Sequence, residues 1–264
     1  MQQESIRESL LDREVSFGTW IQIGHAAVAE VLAEAGYDWI AVDCEHTDIG
    51  VEGFTDLARG MHGRGPISLA RVRENDTLAI RQVLDAGAAG VIVPLVNTAD
   101  EARRAVAAAR FPPEGRRGFS FARMNNYGED FDEYAATANR RVAVVVMAET
   151  REAVDNIDEI VAVEGVDGVF VGPYDMSGSY GVPGQTDHER VRQGCRRILD
   201  ACRRAGRSAG LHVVEPDEGA IDRAVADGFN FIALGVDTVF LGNASRHALR
   251  TARSSMTAPE EEEG

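Results

Sequence analysis

Eight short apolar segments recur along the chain, and a longer amphipathic segment follows each of them. Most of the short segments are nearly continuous runs of Val, Ile, Leu and Ala, which is typical of parallel strands buried on both faces. The predicted strands cover residues 15–23, 38–43, 67–72, 90–96, 142–149, 167–172, 208–213 and 230–235. Eight strand–helix pairs in roughly 250 residues match the usual size of a closed parallel barrel. The sequence therefore predicts an α/β fold, a (β/α)8 TIM barrel.

The amphipathic segments predict helices on the outside of this barrel. Segments such as HAAVAEVLAEAG and TLAIRQVLDAGAAG carry apolar residues at helical spacing, and most end in a glycine that suits a helix C-terminus. Because no linker interrupts the alternation, residues 1–254 are predicted to form a single domain. Residues 255–264 end in a run of glutamates, which predicts an acidic, disordered tail.

Two segments are longer than a connection between a strand and a helix requires. Residues 111–126 read FPPEGRRGFSFARMNN, and residues 172–187 read GPYDMSGSYGVPGQTD. Long ordered loops lie on the surface and often carry function. Both segments are therefore predicted to contribute to a site.

The chain contains no lysine, so all 27 of its basic residues are arginine. Without a side-chain amine the protein cannot form a lysine imine with a carbonyl substrate or hold pyridoxal phosphate in the usual way. The 43 acidic residues give a net charge of -16, which repels nucleic acid and anionic membrane surfaces. The composition thus predicts neither a nucleic acid nor a membrane partner.

Cysteine usage and hydropathy bear on the compartment. Cys44, Cys195 and Cys202 form no CxxC pair, which fits a reducing environment and offers neither a zinc site nor a disulfide framework. No apolar run reaches the ~18 residues that a membrane span needs, and the N-terminal segment lacks the core of a signal peptide. These features predict a cytoplasmic protein.

Polar residues stand at the ends of five predicted strands. They are Asp43, Glu45 and His46 after strand two, Arg71 on strand three, Glu149 on strand five, Asp175 after strand six and His212 on strand seven. The active site of a TIM barrel lies where its strands end, so these side chains are expected to converge. Hard divalent cations prefer one or two carboxylates plus water and substrate oxygens, and Glu149 with Asp175 offers such an open site.

Each of these residues also has a purely structural interpretation. Glu149 and Asp175 could cap the helices that follow them. His46 could make only backbone hydrogen bonds, and Arg71 could pair with Asp43 or Glu45 in a salt bridge. Taken together on one rim, the two carboxylates favour metal binding, whereas His212 is predicted only to line the pocket.

The end of strand eight bears on the charge of the substrate. Many barrels bind phosphate on a glycine-rich loop after strand seven or eight. Here Asp237 stands at the start of the last helix, where its charge would repel phosphate. A substrate that carries a carboxylate is therefore expected.

Several longer motifs resemble one family in order and spacing. They are AEAGYDWIAVDCEH at 33–46, SLAR at 68–71, RQVLDAGAAGVIVPLV at 81–96, FPPEGRRG at 111–118 and AVEGVDGVFVGPYDMSGSYGVPG at 162–184. Together they resemble the HpcH/HpaI aldolases, metal-dependent pyruvate aldolases that include 4-hydroxy-2-oxoheptanedioate aldolase. The similarity spans residues 17–241. It implies a barrel of the phosphoenolpyruvate/pyruvate type.

The resemblance also implies roles for individual residues. His46 corresponds to the catalytic base, Asp85 to the aspartate that raises its basicity, and Arg71 to the arginine that stabilises the enolate. Glu149 and Asp175 correspond to the ligands of a divalent metal ion, Mg²⁺, Mn²⁺ or Co²⁺. The backbone around Gly172, Pro173 and Tyr174 corresponds to the binding site of the substrate carboxylate. The family assembles as a hexamer, or trimer of dimers, with its last helix exchanged between partners, which implies a homo-oligomer.

Two positions depart from the family pattern. Met147 stands where many members have a glutamine whose amide contacts the bound keto acid, and a thioether cannot replace those hydrogen bonds. Tyr174 stands in GPYD where members tend to have GPAD, which adds bulk and a hydroxyl group. Both positions suggest a divergent acceptor substrate or an altered reaction.

The resemblance therefore predicts a class II aldolase that cleaves or forms a 4-hydroxy-2-oxo acid, with a small 2-oxo acid and an aldehyde as its partners. The alternative is a related lyase or decarboxylase acting on oxaloacetate or a malyl thioester. For a coenzyme A thioester, the pair Arg116 and Arg117 could supply basic contacts or could be a structural loop contact. A non-enzymatic barrel would not need the two carboxylates, which are both present.

Overall fold

The computed structural model describes residues 5–257 and confirms a closed barrel of eight parallel strands, each hydrogen-bonded to the next and the last to the first. The strands are β1 (Ser16–Ile21), β2 (Trp39–Asp43), β3 (Ile67–Arg71), β4 (Gly90–Val93), β5 (Ala143–Ala148), β6 (Gly168–Val171), β7 (Ser208–Val213) and β8 (Phe231–Val236). All eight fall within a residue of, or inside, the segments predicted from their apolar runs. The TIM barrel fold is thus confirmed.

Helices surround the barrel between the strands. They are α1 (Ile6–Asp12), α2 (Ala26–Ala33), α3 (Val51–Met61), α4 (Thr77–Asp85), α5 (Ala99–Ala109), α6 (Phe131–Arg141), α7 (Arg151–Asp155), α8 (Ile157–Val161), α9 (Pro173–Ser179), α10 (Glu189–Ala205), α11 (Glu218–Asp227) and α12 (Asp237–Thr257). Side-chain caps begin several of them, and glycines in the left-handed conformation end α10 and α11. No helix within residues 5–257 is both long and apolar enough to cross a membrane.

Large aromatic side chains fill the inside of the barrel. Trp39 of β2 stacks on Phe231 of β8 with ring centroids 4.1 Å apart. This packing requires a glycine on β1, because a Cβ at Gly18 would lie 2.1 Å from the Trp39 ring. A second apolar layer lies between the strands and the outer helices. The side chains at the strand ends therefore rest on a close-packed base.

The N-terminal helix closes the lower end of the barrel, at the N-termini of the strands. Ile6 and Leu10 of α1 are buried in the same cluster as the barrel interior. The fully buried Asp167, just before β6, accepts hydrogen bonds from Arg7 Nε at 2.8 Å and Arg110 Nη2 at 3.2 Å. Strand ends at the opposite face are left open for a site.

The two long segments lie at opposite ends of the barrel. Residues 172–187 follow β6, and several of them line the cavity at the strand ends, as predicted. Residues 111–126 follow α5, and none of them lines that cavity in the described chain. Because a helix that follows a strand runs back toward the strand N-termini, a segment between α5 and β5 must lie at the lower face. The predicted contribution of residues 111–126 to a site on the same chain was wrong.

The last helix continues three residues beyond the predicted domain end at 254. Helix α12 runs to Thr257, and the rest of the predicted tail, residues 258–264, lies outside the described residues. Within the described part the helix contacts the barrel mainly through β1 and β8. Its side chains from 243 to 256 are exposed.

Candidate active site

A cavity of about 970 Å³ opens at the C-terminal ends of the strands and continues outward between α10 and α11. Seven of the predicted site residues line it: Arg71, Met147, Glu149, Gly172, Pro173, Tyr174 and Asp175. Side chains from β1, β3, β5, β6 and β7 therefore meet in one cavity, as the polar residues at the strand ends predicted.

The two predicted metal ligands, Glu149 and Asp175, both line this cavity. Glu149 follows β5 and is only 3% exposed, whereas Asp175 lies in the first turn of α9, after β6, and is exposed. Strands β5 and β6 are hydrogen-bonded neighbours. Burial raises the pKa of Glu149 to about 7, and the charges of Glu45 and Asp175 add to that rise. Because Glu149 is buried and has negatively charged neighbours, a bound cation would stabilise its ionised form.

The backbone around Glu149 fixes the position of its carboxylate. Oε2 accepts a hydrogen bond of 2.9 Å from the N–H of Leu95, a non-glycine residue held at a positive φ of 52°. On the other side, a Cβ at Gly172 would come within 2.7 Å of Glu149 Cγ and 2.9 Å of its Oε1. The strained Leu95 and the missing side chain at Gly172 together hold the carboxylate in one place.

Arg71 is anchored by Asp43, so the structural and functional interpretations of this arginine are compatible. Its Nε and Nη2 donate to the buried Asp43 carboxylate at 2.9 and 2.6 Å. Burial raises the pKa of Asp43, but the hydrogen bonds and charge of Arg71, with Gln22 and the N–H of His46, outweigh it and hold that pKa below its ordinary value. Arg71 therefore faces the cavity in a fixed orientation.

Glu45 is a site residue to which the sequence assigned only a possible salt bridge. Its Oε2 lies 3.4 Å from Arg71 Nη1 and is buried without a hydrogen-bond partner among the described residues. Burial raises its pKa, Arg71 opposes the rise, and Asp43 and Asp175 add to it. This unsatisfied acceptor next to Arg71 adds to the negative charge that acts on Glu149.

His46 follows β2 beside Glu45 and, within residues 5–257, is not one of the residues that line the cavity. Its backbone N–H donates to Asp43 Oδ1 at 3.2 Å, and its ring Nε2 lies 3.6 Å from Glu45 Oε2. The side chain is 59% exposed. The imidazole is therefore positioned by its backbone and reachable by a substrate hydroxyl or by water.

Asp85 is not brought to this site within one chain. It ends α4 and so lies at the lower face, where Oδ1 accepts from Arg117 Nη2 at 2.8 Å and Oδ2 from Ser120 Oγ at 3.1 Å. His46 follows β2 at the opposite face. The predicted effect of Asp85 on His46 cannot arise within one barrel and would require a second copy of the chain.

Arg117, the partner of Asp85, also makes structural contacts at the lower face. It is buried, pairs with Asp85, and its guanidinium lies 4.8 Å from the centre of the Phe111 ring. It therefore cannot offer a basic contact to a coenzyme A substrate on the same chain. This favours the structural interpretation of the Arg116 and Arg117 pair.

Only some of the backbone N–H groups at the predicted binding site of the substrate carboxylate are free to donate a hydrogen bond. The N–H of Gly172 donates to Ala148 O at 3.2 Å, and Pro173 has no N–H. The N–H groups of Tyr174 and Asp175 lie in the first turn of α9 and have no partner within that helix. These two groups are the backbone donors left for a substrate anion.

Met147 and Tyr174 occupy different parts of the cavity. Met147 is buried inside the barrel, while the Tyr174 side chain is exposed at the rim. Neither departure from the family pattern therefore changes the position of Glu149 or Asp175.

His212 lies on β7, and Asp237 directly follows β8. His212 Nε2 lies 3.0 Å from Gly235 O, and its ring lies beside Trp20 with centroids 6.2 Å apart. Burial lowers the pKa of His212 to about 4. The buried Asp237 accepts from the backbone N–H of Gln22 and Ile23, each at 2.9 Å. Its charge does occupy the start of α12, as expected.

Metal binding can be tested against the donor set. Within residues 5–257 no group of three or more His, Cys, Asp or Glu side chains is arranged to hold a metal ion. A two-carboxylate site does not need a third, because Mg²⁺ keeps several waters and uses substrate oxygens. The paired carboxylates and the unsatisfied Glu45 Oε2 fit a hard divalent cation.

Comparison with known proteins gives the family. A model of the family described as HpcH/HpaI aldolase/citrate lyase matches residues 16–244. The chain belongs to this family. Its members include a 2-keto-3-deoxy-L-rhamnonate aldolase of Escherichia coli, 37% identical over 258 residues, which are 96% of this chain and 94% of the relative. A hydroxypyruvate/pyruvate aldolase of Roseobacter denitrificans is 35% identical over 244 residues, covering 92% of this chain and 94% of the relative.

Solved structures agree with the family assignment. The crystal structure of a family protein from Burkholderia cenocepacia superposes with a TM-score of 0.90 at 33% identity, covering 94% of this chain and 98% of that one. The aldolase relatives and the barrel together support a lyase, and the family resemblance seen in the sequence motifs is confirmed.

Proposed function

We propose that this protein is a divalent-metal-dependent pyruvate aldolase that cleaves or forms a 4-hydroxy-2-oxo acid. The observation that carries the proposal is the pair Glu149 and Asp175, set beside Arg71 in one cavity at the strand ends. The names of the two aldolase relatives are consistent with it.

Glu149 and Asp175 would hold the cation. When bound, a divalent cation supplies a Lewis acid that polarises the keto oxygen of a 2-oxo acid and stabilises negative charge on the enolate. The N–H groups of Tyr174 and Asp175 would orient the substrate carboxylate. With no lysine in the chain, an imine cannot share this electron-accepting role.

His46 and Arg71 provide the remaining chemistry. In the cleavage direction His46 accepts the proton of the 4-hydroxyl group, directly or through water, as the C3–C4 bond breaks. The products are an aldehyde and the enolate of pyruvate. Arg71, held by Asp43, donates hydrogen bonds to the oxygen on which charge develops.

The decisive experiment measures condensation of pyruvate with a panel of aldehydes after treatment with EDTA and again after adding Mg²⁺, Mn²⁺ or Co²⁺. We expect activity to disappear with EDTA and to return with at least one metal. The same panel run with oxaloacetate distinguishes the alternative lyase or decarboxylase. Full activity in EDTA on a 4-hydroxy-2-oxo acid would overturn the metal-dependent mechanism.

The catalytic base has its own test. His46→Ala should slow turnover by roughly 10² to 10⁴ if His46 carries the proton. The exposed His62, beyond the end of α3, offers a matched control as His62→Ala. An unaffected rate in His46→Ala would reassign the base.

We also infer a homo-oligomer, a hexamer or trimer of dimers, located in the cytoplasm. Helix α12 supports the assembly, since Leu241 is 61% exposed and Leu249 52% exposed on a helix that extends away from its barrel. The free cysteines Cys44, Cys195 and Cys202 support a reducing compartment.

A further inference from the structure

One wall of the cavity is formed by β7, β8 and β1, away from the carboxylates on β5 and β6. His212 of β7 and Trp20 of β1 both line the cavity there, with ring planes tilted by 59°. Trp20 also packs edge-on against Phe170, with centroids 5.5 Å apart. Because the 2-oxo acid is expected at β5 and β6, this wall is what the acceptor aldehyde would meet.

The hydrogen bond of His212 determines which nitrogen carries the proton. A carbonyl oxygen can only accept, so Nε2, 3.0 Å from Gly235 O, must be the protonated nitrogen. Burial lowers the pKa of His212 to about 4, so the ring is neutral near pH 7. In a neutral imidazole with its proton on Nε2, Nδ1 is a hydrogen-bond acceptor.

The Nδ1 atom is accessible from the cavity. The structure gives it no partner within residues 5–257, and it is not among the buried side-chain atoms that lack one. An accessible, uncharged acceptor therefore lies in this wall beside Trp20, whose ring has the Arg71 guanidinium 4.8 Å from its centre.

We propose that His212 Nδ1 accepts a hydrogen bond from a hydroxyl group of the acceptor aldehyde and so selects hydroxylated aldehydes. A hydroxyl can donate to this lone pair, a methyl group in the same place cannot, and a carboxylate has no proton to offer. The preferred acceptor is thus a hydroxyaldehyde rather than an alkanal or a semialdehyde that ends in a carboxylate. This inference rests on the proposed aldolase activity.

The test compares glycolaldehyde with propanal, which have the same size and differ in a hydroxyl against a methyl group. With pyruvate and the activating metal, the wild type should show a higher kcat/KM for glycolaldehyde than for propanal. Succinic semialdehyde serves as the carboxylate-bearing probe and should also be disfavoured. His212→Leu should lower the glycolaldehyde-to-propanal ratio about fivefold to tenfold, the effect of one hydrogen bond.

Two further variants separate a specific effect from a structural one. His212→Gln restores an acceptor and should recover part of the ratio, which mere loss of packing would not explain. His62→Leu makes the same chemical change at an exposed position and should leave the ratio as in the wild type.

A further measurement distinguishes failure of the His212 proposal from failure of the proposed aldolase function. It follows exchange of the methyl protons of pyruvate in D₂O by NMR, without aldehyde. Exchange in the wild type together with equal use of both aldehydes, or an unchanged ratio in His212→Leu, would overturn the role of His212 alone. Absence of exchange and of any aldol product would overturn the proposed function itself.

Discussion

At the scale of single residues, the site is defined by how charge is compensated. Asp43 is fully buried and receives two hydrogen bonds from Arg71, whereas the buried Oε2 of Glu45 receives none from residues 5–257. The sequence located Asp43 and Glu45 because they follow a strand that is recognisable from its apolar run. Which of the two carboxylates receives hydrogen bonds depends on the directions of the side chains on β2 and β3. A sequence does not contain these directions.

Glu45 should matter for the cation although it was not predicted as a ligand. Glu45→Gln removes a negative charge that acts on Glu149, so we expect the affinity for Mn²⁺ to fall about tenfold. Isothermal titration calorimetry of metal-stripped protein measures this directly. Glu52→Gln, on the exposed first turn of α3, is the matched control. Equal affinities in the two variants would remove Glu45 from the site.

The neutral state of His212 predicts a specific loss of stability in acid. Its pKa falls from 6.5 in the unfolded chain to about 4 in the fold, so the unfolded state binds the proton more readily below pH 6.5. Between pH 7 and pH 5 this group should lower the free energy of unfolding by about 2 kcal/mol. Urea titrations at fixed protein concentration should show the wild type losing that much more than His212→Leu. Parallel losses would mean that His212 is protonated in the fold at pH 5.

At the scale of elements, each functional side chain is placed by the end of a strand and the turn that follows. Leu95, after β4, takes a positive φ to donate its N–H to Glu149, and no sequence signal marks a leucine in that conformation. Asp85, at the end of a helix, lies at the lower face of its own barrel, so its implied effect on His46 stays a prediction about a second copy of the chain. Strand-end residues were predictable, and residues beyond helix ends were not.

The start of α9 should tolerate no side chain at Gly172. Gly172→Ala would place a Cβ 2.7 Å from Glu149 Cγ, which must move the carboxylate. A misplacement near 1 Å can cost about 10² in rate, so we expect a loss of that order in aldol turnover. Gly178→Ala, in the same helix, would bring its new Cβ within 4 Å of no described atom beyond its chain neighbours and its own helix backbone, and should keep full activity. Circular dichroism should show both variants folded.

At the scale of the whole molecule, the barrel was predictable because strands buried on both faces leave continuous apolar runs. The strand order and the strand-end position of Arg71, Glu149 and Asp175 follow from that topology. The N-terminal helix that closes the lower end, with Ile6 and Leu10 buried, had no comparable signal in so short a segment.

Helix α12 provides the test of assembly. It is 21 residues long, and within the described chain Leu249 at 52% and Met256 at 86% exposure have no apolar cover from the barrel. A helix gains most of its stability from packing an apolar face, so a second copy should cover these side chains. We expect light scattering to give about six times 28.5 kDa for the wild type and a smaller mass for Leu249→Glu. Val31→Glu, a similar change on the exposed side of α2, should keep the native mass. A wild-type mass equal to one chain at micromolar concentration would refute the exchange of α12, and an effect of Asp85 on His46 between copies would then be excluded as well.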